Sequence, residues 1–296
     1  MAQEIYATIT RQIADEISSS TTNYEMPWHR DTTSGRPINA LTRKHYNGVN
    51  ILTLWSAARR KGYAEGEWAT YRQWVELGAH VRKKEKGTVS VFYKRYRRED
   101  VDPETHEPVQ KDTYVARASW LFNAAQVDSY AVAQPRRRSL VEVLSQAETF
   151  VGALNADIRI GGAEACYHPR SDYVQMPDQN RFRDTRTGTA TEHYYSVLFH
   201  ELTHWSGHPS RLNRDISGRF GGERYALEEL VAELGAAFLC ADHQVTNSPR
   251  LDHARYIGGW LEALERDHRA IFSASSKASQ AAAFLNERAG RGGADE

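Results

Sequence analysis

The sequence predicts an α+β fold in each of two successive parts. Helix-spaced and strand-type apolar patterns occur in mixed order with no regular strand–helix alternation. A basic stretch and a histidine pair at helical spacing fall in different halves. At 296 residues the chain has room for two domains of ordinary size. Its 40% hydrophobic and 26% charged residues exclude a disordered or fibrous chain.

The first helix is expected over residues 2–18, where Ile5, Ile9, Ile13 and Ile17 recur on one face before the polar run at 18–23. The turn Tyr46-Asn47-Gly48 leads to a second helix over 49–60, broken at Gly62. Residues 70–77 read as a short third helix ended by Gly78. Val81, Val89, Val91, Phe92 and Tyr93 are β-type, and residues 114–122 alternate as a partner strand. The acidic, proline-containing segment between them reads as the loop of a long hairpin.

Residues 133–139, with one proline and three arginines, read as a linker between domains at 1–132 and 140–287. The second part carries helical patterns at 140–155, 189–205, 225–242, 255–267 and 277–286, and short strands at 157–160 and within 166–176. The glycine-rich tail at 288–296 is expected to fray. No apolar run reaches the roughly 18–20 residues of a membrane span, so no membrane partner is expected. The acidic N-terminus does not resemble an export signal. Cys166 and Cys240 are too few for a disulfide framework, and a reducing cytoplasm is the expected setting.

His200-Glu201-Leu202-Thr203-His204 is the sharpest chemical signal. Residues four apart share a helix face, so His200 and His204 can aim two imidazoles at one ion. Glu201 then projects toward a water on that ion as its general base. Thr189–Glu192 reads as a capping box, and Tyr194, Leu198, Leu202 and Trp205 supply an apolar stripe.

A catalytic zinc commonly takes a third protein ligand and keeps one position open. The extended HExxHxxGxxH pattern fails because Ser210 stands at its last position, and His208 follows the helix-breaking Gly207. Glu229 and Glu233 lie four apart among small and apolar residues, where carboxylates are rarely buried unless paired or metal-bound. This arrangement resembles gluzincin metallopeptidases, which implies Glu229 as third ligand and Glu233 as the acid orienting a ligating histidine. Glu228 is the alternative by a slip of one residue. The ion expected is Zn2+ or another divalent metal such as Mn2+. The implied chemistry is metal-assisted hydrolysis, with Tyr225, Tyr173, His168 and His208 all open as the oxyanion-stabilising group.

The net charge is zero, with 38 Lys and Arg against 38 Asp and Glu, but it is not evenly spread. Residues 51–98 hold 12 Lys and Arg against 4 Asp and Glu. Trp28, Tyr46, Trp55, Tyr63, Trp68, Tyr71 and Trp74 interleave with Arg43, Lys44, Arg59–Lys61 and Arg72, ahead of Lys83, Lys84, Lys94, Arg95, Arg97 and Arg98. Bases stack on rings while cations track phosphates, so the pattern suits single-stranded DNA. At least half of these rings are expected in the core; Trp28 and Tyr46 are taken as stacking candidates.

The string at 199–208 with Arg211-Leu212, the segment 172–177 and the run 228–234 resemble the ArdC family of plasmid antirestriction proteins. Pro27-Trp28, residues 46–50 and residues 68–73 are similar to the single-stranded-DNA-binding domain that this family shares with TraC-type primases. The resemblance implies an N-terminal DNA-binding domain and a C-terminal zincin-like metallopeptidase domain. It also implies protection of incoming plasmid DNA during conjugation, with the protein substrate of the peptidase unknown. The alternative is a DNA-binding module whose metal site is structural or vestigial.

Overall fold

A computed structural model describes residues 2–19, 35–101, 108–132, 139–185, 188–216, 222–245 and 254–290. Trp28, residues 133–138 of the expected linker and residues 291–296 of the expected tail lie outside the described residues.

The N-terminal half opens with helix α1 (Ala2–Ser19), whose Ile9, Ile13 and Ile17 are buried. Helix α2 (Val49–Lys61) stops at Gly62, which adopts the left-handed conformation that costs glycine little. Helix α3 (Tyr71–Glu76) starts at a capping box between Thr70 and Gln73. Around these helices lie β1 (Ile38–Asn39), β2 (Glu67–Thr70), β3 (His80–Val81), β4 (Thr88–Val101), β5 (Pro108–Asn123) and β6 (Val127–Asp128). One sheet runs β1-β2-β5-β4, and β3 pairs with β6.

The hairpin of β4 and β5 is longer than its apolar pattern indicates. The acidic segment expected as loop is largely ladder, since Arg97 pairs with Asp112, Glu99 with Gln110 and Val101 with Pro108. Once a two-stranded ladder is in register, continued backbone pairing overrides the weak β preference of charged residues. Strand β3 contains the β-type Val81, whereas β1, β2 and β6 carry no readable signal, because two to four residues show no measurable alternation.

The second half contains α4 (Leu140–Ala153), a three-stranded sheet of β7 (Asp157–Ile160), β8 (Cys166–His168) and β9 (Tyr173–Met176), and α5 (Ala190–Ser206). Then come α6 (Glu223–His243), α7 (Ala254–Arg266) and α8 (Ala270–Arg288). The sheet order is β7-β9-β8, so β8 is an edge strand, and α5 packs against β8 and β9. Helix α8 begins seven residues before the expected 277 and takes in Ser273, Ser275 and Ser276, whose side chains can compete for backbone hydrogen bonds in a helix. Ser275 resolves this by donating its hydroxyl to the carbonyl of Ile271 within the helix (2.6 Å). That helix also reaches Arg288, where the tail was expected to begin.

One hydrophobic core runs through both halves. Ile9, Ile13 and Ile17 of α1 and Trp55 of α2 share it with Phe199, Phe238, Trp260 and Ile271. Polar contacts reinforce the joint: Thr10 donates to the carbonyl of His268 (2.6 Å), and the Gly48 amide donates to Ser279 Oγ (2.9 Å).

Helix α6 is central, packed by α5, α7 and α8. It approaches α5 most closely where Gly235 faces Thr203: a Cβ at 235 would lie 2.5 Å from Thr203 Cγ2. Thr203 cannot swing away freely, because its hydroxyl donates to the Phe199 carbonyl (2.8 Å). Gly235→Ala should therefore destabilise the protein by about 1–3 kcal/mol in denaturant unfolding. Gly152→Ala, in α4 with nothing within 4 Å of the added carbon, should instead be neutral or stabilising by up to about 1 kcal/mol.

Candidate metal centre

Helix α5 starts at a complete capping box, with the Thr189 side chain accepting from Glu192 N and Glu192 bonding back to Thr189 N (2.9 Å). The buried residues of α5 include Leu198, Phe199 and Leu202, which fix its rotation. His200 and His204 thereby face α6, where Glu228, Glu229 and Glu233 are buried.

His200, His204 and Glu229 each offer a ligand atom within 4.8 Å of the others, the one such group among the described residues. The two Nε2 atoms are 3.2 Å apart. Glu229 Oε2 lies 3.4 Å from His200 Nε2, and its Oε1 lies 3.6 Å from His204 Nε2. Tetrahedral bonds of about 2.0–2.1 Å separate ligand atoms by roughly 3.3–3.4 Å. The donor set thus fits a divalent ion.

The outer nitrogens face the other two acids. Glu233 Oε2 lies 3.6 Å from His200 Nδ1, and Glu228 Oε1 lies 3.2 Å from His204 Nδ1. Glu228 therefore stands behind an imidazole rather than in front of it. Arg214 grips this acid twice, Nη2 to Oε1 (2.8 Å) and Nε to Oε2 (3.2 Å). Its guanidinium also donates to the Thr203 carbonyl (2.6 Å) and to Ser206 Oγ (2.9 Å). Nothing in the pattern of helices singled Arg214 out, since it lies on the irregular turn after α5. Its one sequence signal was a cation near a buried acidic run.

Electrostatics follow the same geometry. Burial disfavours charge on His204, yet Glu228 and Glu229 outweigh it and raise the imidazole to about 10. Despite burial, His200 and His204 hold the Glu229 carboxyl far below the usual range. Burial likewise opposes ionisation of Glu228, but His204 and Arg214 keep its carboxyl low. A proton on this cluster and a divalent cation answer the same excess of buried negative charge.

Glu201 is buried beside His200. Its influence reaches β8: burial first, then the charge of Glu201, push the Cys166 thiol up. Cys166 Sγ is 3.2 Å from His168 Nε2, and His168 stacks on Tyr173 with centroids 4.4 Å apart. His208 lies on the turn after α5 with Nδ1 2.7 Å from Ser210 Oγ.

Residues 145–277 match a family described as zincin-like metallopeptidase, and residues 3–122 match the N-terminal domain of anti-restriction factor ArdC. An antirestriction ArdC protein from the R388 plasmid, solved metal-free, is 35% identical, with 96% of this chain and 97% of that chain covered at a TM-score of 0.79. The chain belongs to the ArdC family of antirestriction proteins. A Mn(II)-bound structure of that ArdC protein superposes with a TM-score of 0.72. An uncharacterised protein, y4eC, of Sinorhizobium fredii is 45% identical over 96% of this chain and 92% of its own length. A DNA primase TraC of Escherichia coli is 32% identical over 94% of this chain, which covers 26% of the primase. No helix among the described residues of this ArdC-family chain is long and apolar enough to cross a membrane.

The residues read as DNA-binding are dispersed. Arg43 pairs with the buried Glu67 (2.5 Å), while Lys44 is exposed beside it. Tyr46 packs against the small core around Trp68 and donates its hydroxyl to the Trp68 carbonyl (3.2 Å). Burial pushes that phenol up to about 12. Lys83 and Lys84 are exposed on the turn before β4. Lys94, Arg95, Arg97 and Arg98 follow one another along β4, with Arg97 exposed; the side chains of the other three lie outside the described residues.

Purified protein should bind about one divalent ion per chain, measured by competition with a chromophoric chelator. His204→Ala and Glu229→Ala should each abolish or greatly weaken binding. Arg214→Gln should cost about 10–100-fold in affinity by loosening Glu228 and hence His204. Loss with Glu228→Ala but not with Glu229→Ala would transfer the ligand role by one residue.

Proposed function

We propose that this ArdC-family protein binds single-stranded DNA through residues 1–132 and carries a metal-dependent peptidase site in residues 140–287. Together they protect incoming plasmid DNA from restriction during conjugation, in the cytoplasm. The observation that carries the hydrolytic half is the converging set of His200, His204 and Glu229 with Glu201 alongside. The DNA-binding half rests on the match to the ArdC N-terminal domain, the likeness to TraC primases and the exposed cations before and along β4.

In this reading His200, His204 and Glu229 hold the ion, Zn2+ or Mn2+. Once bound, the ion supplies Lewis acidity to a peptide carbonyl and makes water acidic enough to react near neutral pH. Glu201 takes the proton of the attacking water and returns it to the leaving amine. Glu228, itself held by Arg214, accepts from His204 Nδ1 and so holds that imidazole with Nε2 inward, while the Glu233 carboxylate lies 3.6 Å from His200 Nδ1. The edge strand β8 beside α5 is placed to pair its backbone with an extended peptide, and the protein substrate would enter there.

Two variants divide the halves. Glu201→Gln should retain the ion, because Glu201 is not a ligand, and lose peptide hydrolysis against a panel of denatured proteins. Lys83→Glu with Lys84→Glu should retain the ion and lose affinity for single strands, with a flatter salt dependence. In a cellular restriction assay both should reduce protection. Full protection by Glu201→Gln would remove hydrolysis from the antirestriction mechanism.

A further inference from the structure

Six of the tryptophans fall among the described residues, and five of them are at most 3% exposed. Trp120 is 60% exposed. It does not sit on a loop: β5 lies between β2 and β4, and Trp120 pairs with Val89 in the β4 ladder. A large ring on a fixed backbone, turned to water, is uncommon in a protein that buries its other indoles so completely. Tyr71 is 58% exposed and directly follows Thr70, the ladder partner of Leu121. It therefore leaves the sheet beside Trp120.

The surroundings of this pair are cationic. Gly87 is pressed against it, since a Cβ there would lie 3.1 Å from Trp120 Cβ and 3.2 Å from the Phe122 ring. That close approach fixes the end of the preceding turn against Trp120, and Lys83, Lys84 and Lys86 are exposed on this turn. Lys61 joins them by donating to the Lys86 carbonyl (3.1 Å). Arg82 is engaged by Glu85 (3.1 Å), and Glu85 also accepts from Gln126 (2.9 Å), which braces the turn from below. Arg72 is exposed one residue beyond Tyr71.

We propose that Trp120, with Tyr71 at its side, is the platform on which a base of single-stranded DNA stacks while the lysine turn 83–86 and Arg72 hold the flanking phosphates. This rests on the DNA-binding reading above and assigns it a place. The chemistry selects the occupant. Two rings rimmed by cations suit a base with its backbone, whereas the core of a protein–protein interface is depleted of charge. A duplex keeps its base faces stacked on one another and cannot offer them to Trp120. Tyr46, by contrast, is committed to the core around Trp68.

The test uses the full chain and a fluorescent oligothymidine, titrated by anisotropy at several salt concentrations. Trp120→Leu should weaken binding about 5–150-fold, which is a stacking contribution of about 1–3 kcal/mol at about 1.4 kcal/mol per tenfold. Its salt slope should stay that of wild type, while Trp120→Phe should recover most of the affinity. Tyr71→Ala should show a smaller loss. Lys83→Glu with Lys84→Glu should weaken binding and flatten the slope. Unchanged metal binding and melting temperature in Trp120→Leu separate a lost contact from a lost fold. If Trp120→Leu and Trp120→Phe bind like wild type while the lysine variant does not, the platform is wrong and DNA binding stands. If the wild type itself shows no affinity for single strands, both readings fall.

Discussion

The metal centre depends on how closely α5 and α6 approach, and the absence of a side chain at Gly235 sets that distance. Thr203 sits between the two histidine turns of α5, and Gly235 is two residues beyond Glu233 on α6. The contact between them therefore lies one residue from His204 and within one helical turn of Glu233. Any added atom there would drive the carboxylates and the imidazoles apart together. Since ligand separations near 3.2–3.6 Å leave little tolerance, a steric detail of helix packing becomes a condition for coordination.

That proximity has an electrostatic cost. Glu201, Glu228, Glu229 and Glu233 are all buried within two adjacent helices, an arrangement that would repel without positive charge nearby. Arg214 supplies part of it from a turn, reaching back over Gly207, whose lack of a side chain leaves room for the guanidinium. The remaining demand falls on the space between the two Nε2 atoms. Folding of this region and affinity for a cation are in this sense one property of the same charge distribution.

Much of this was legible in sequence because it obeys helical periodicity. The spacing of four between His200 and His204, the capping box at Thr189 and the acidic pair in an apolar helix all report on one helix at a time. The roles of Glu228 and Arg214 depend on which side of an imidazole each acid approaches, and no periodicity encodes that. The same limit hid Trp120: alternation marks a strand, but which alternate residues face water depends on what packs above the sheet. The ladder through the acidic segment and the serine-rich first turns of α8 were obscured because local preference there opposes what tertiary contacts enforce.

The continuous core has a consequence for inheritance. A module joined by a tether can be exchanged by recombination with little penalty, because neither partner relies on the other's surface. Here the isoleucines of α1 and the indole of α2 lie in the same apolar interior as the helices that carry the histidines. A crossover between the halves would bring together surfaces that had not co-varied, and the hybrid would begin with voids or clashes in its centre. Selection would then tend to preserve the two halves as a single heritable block.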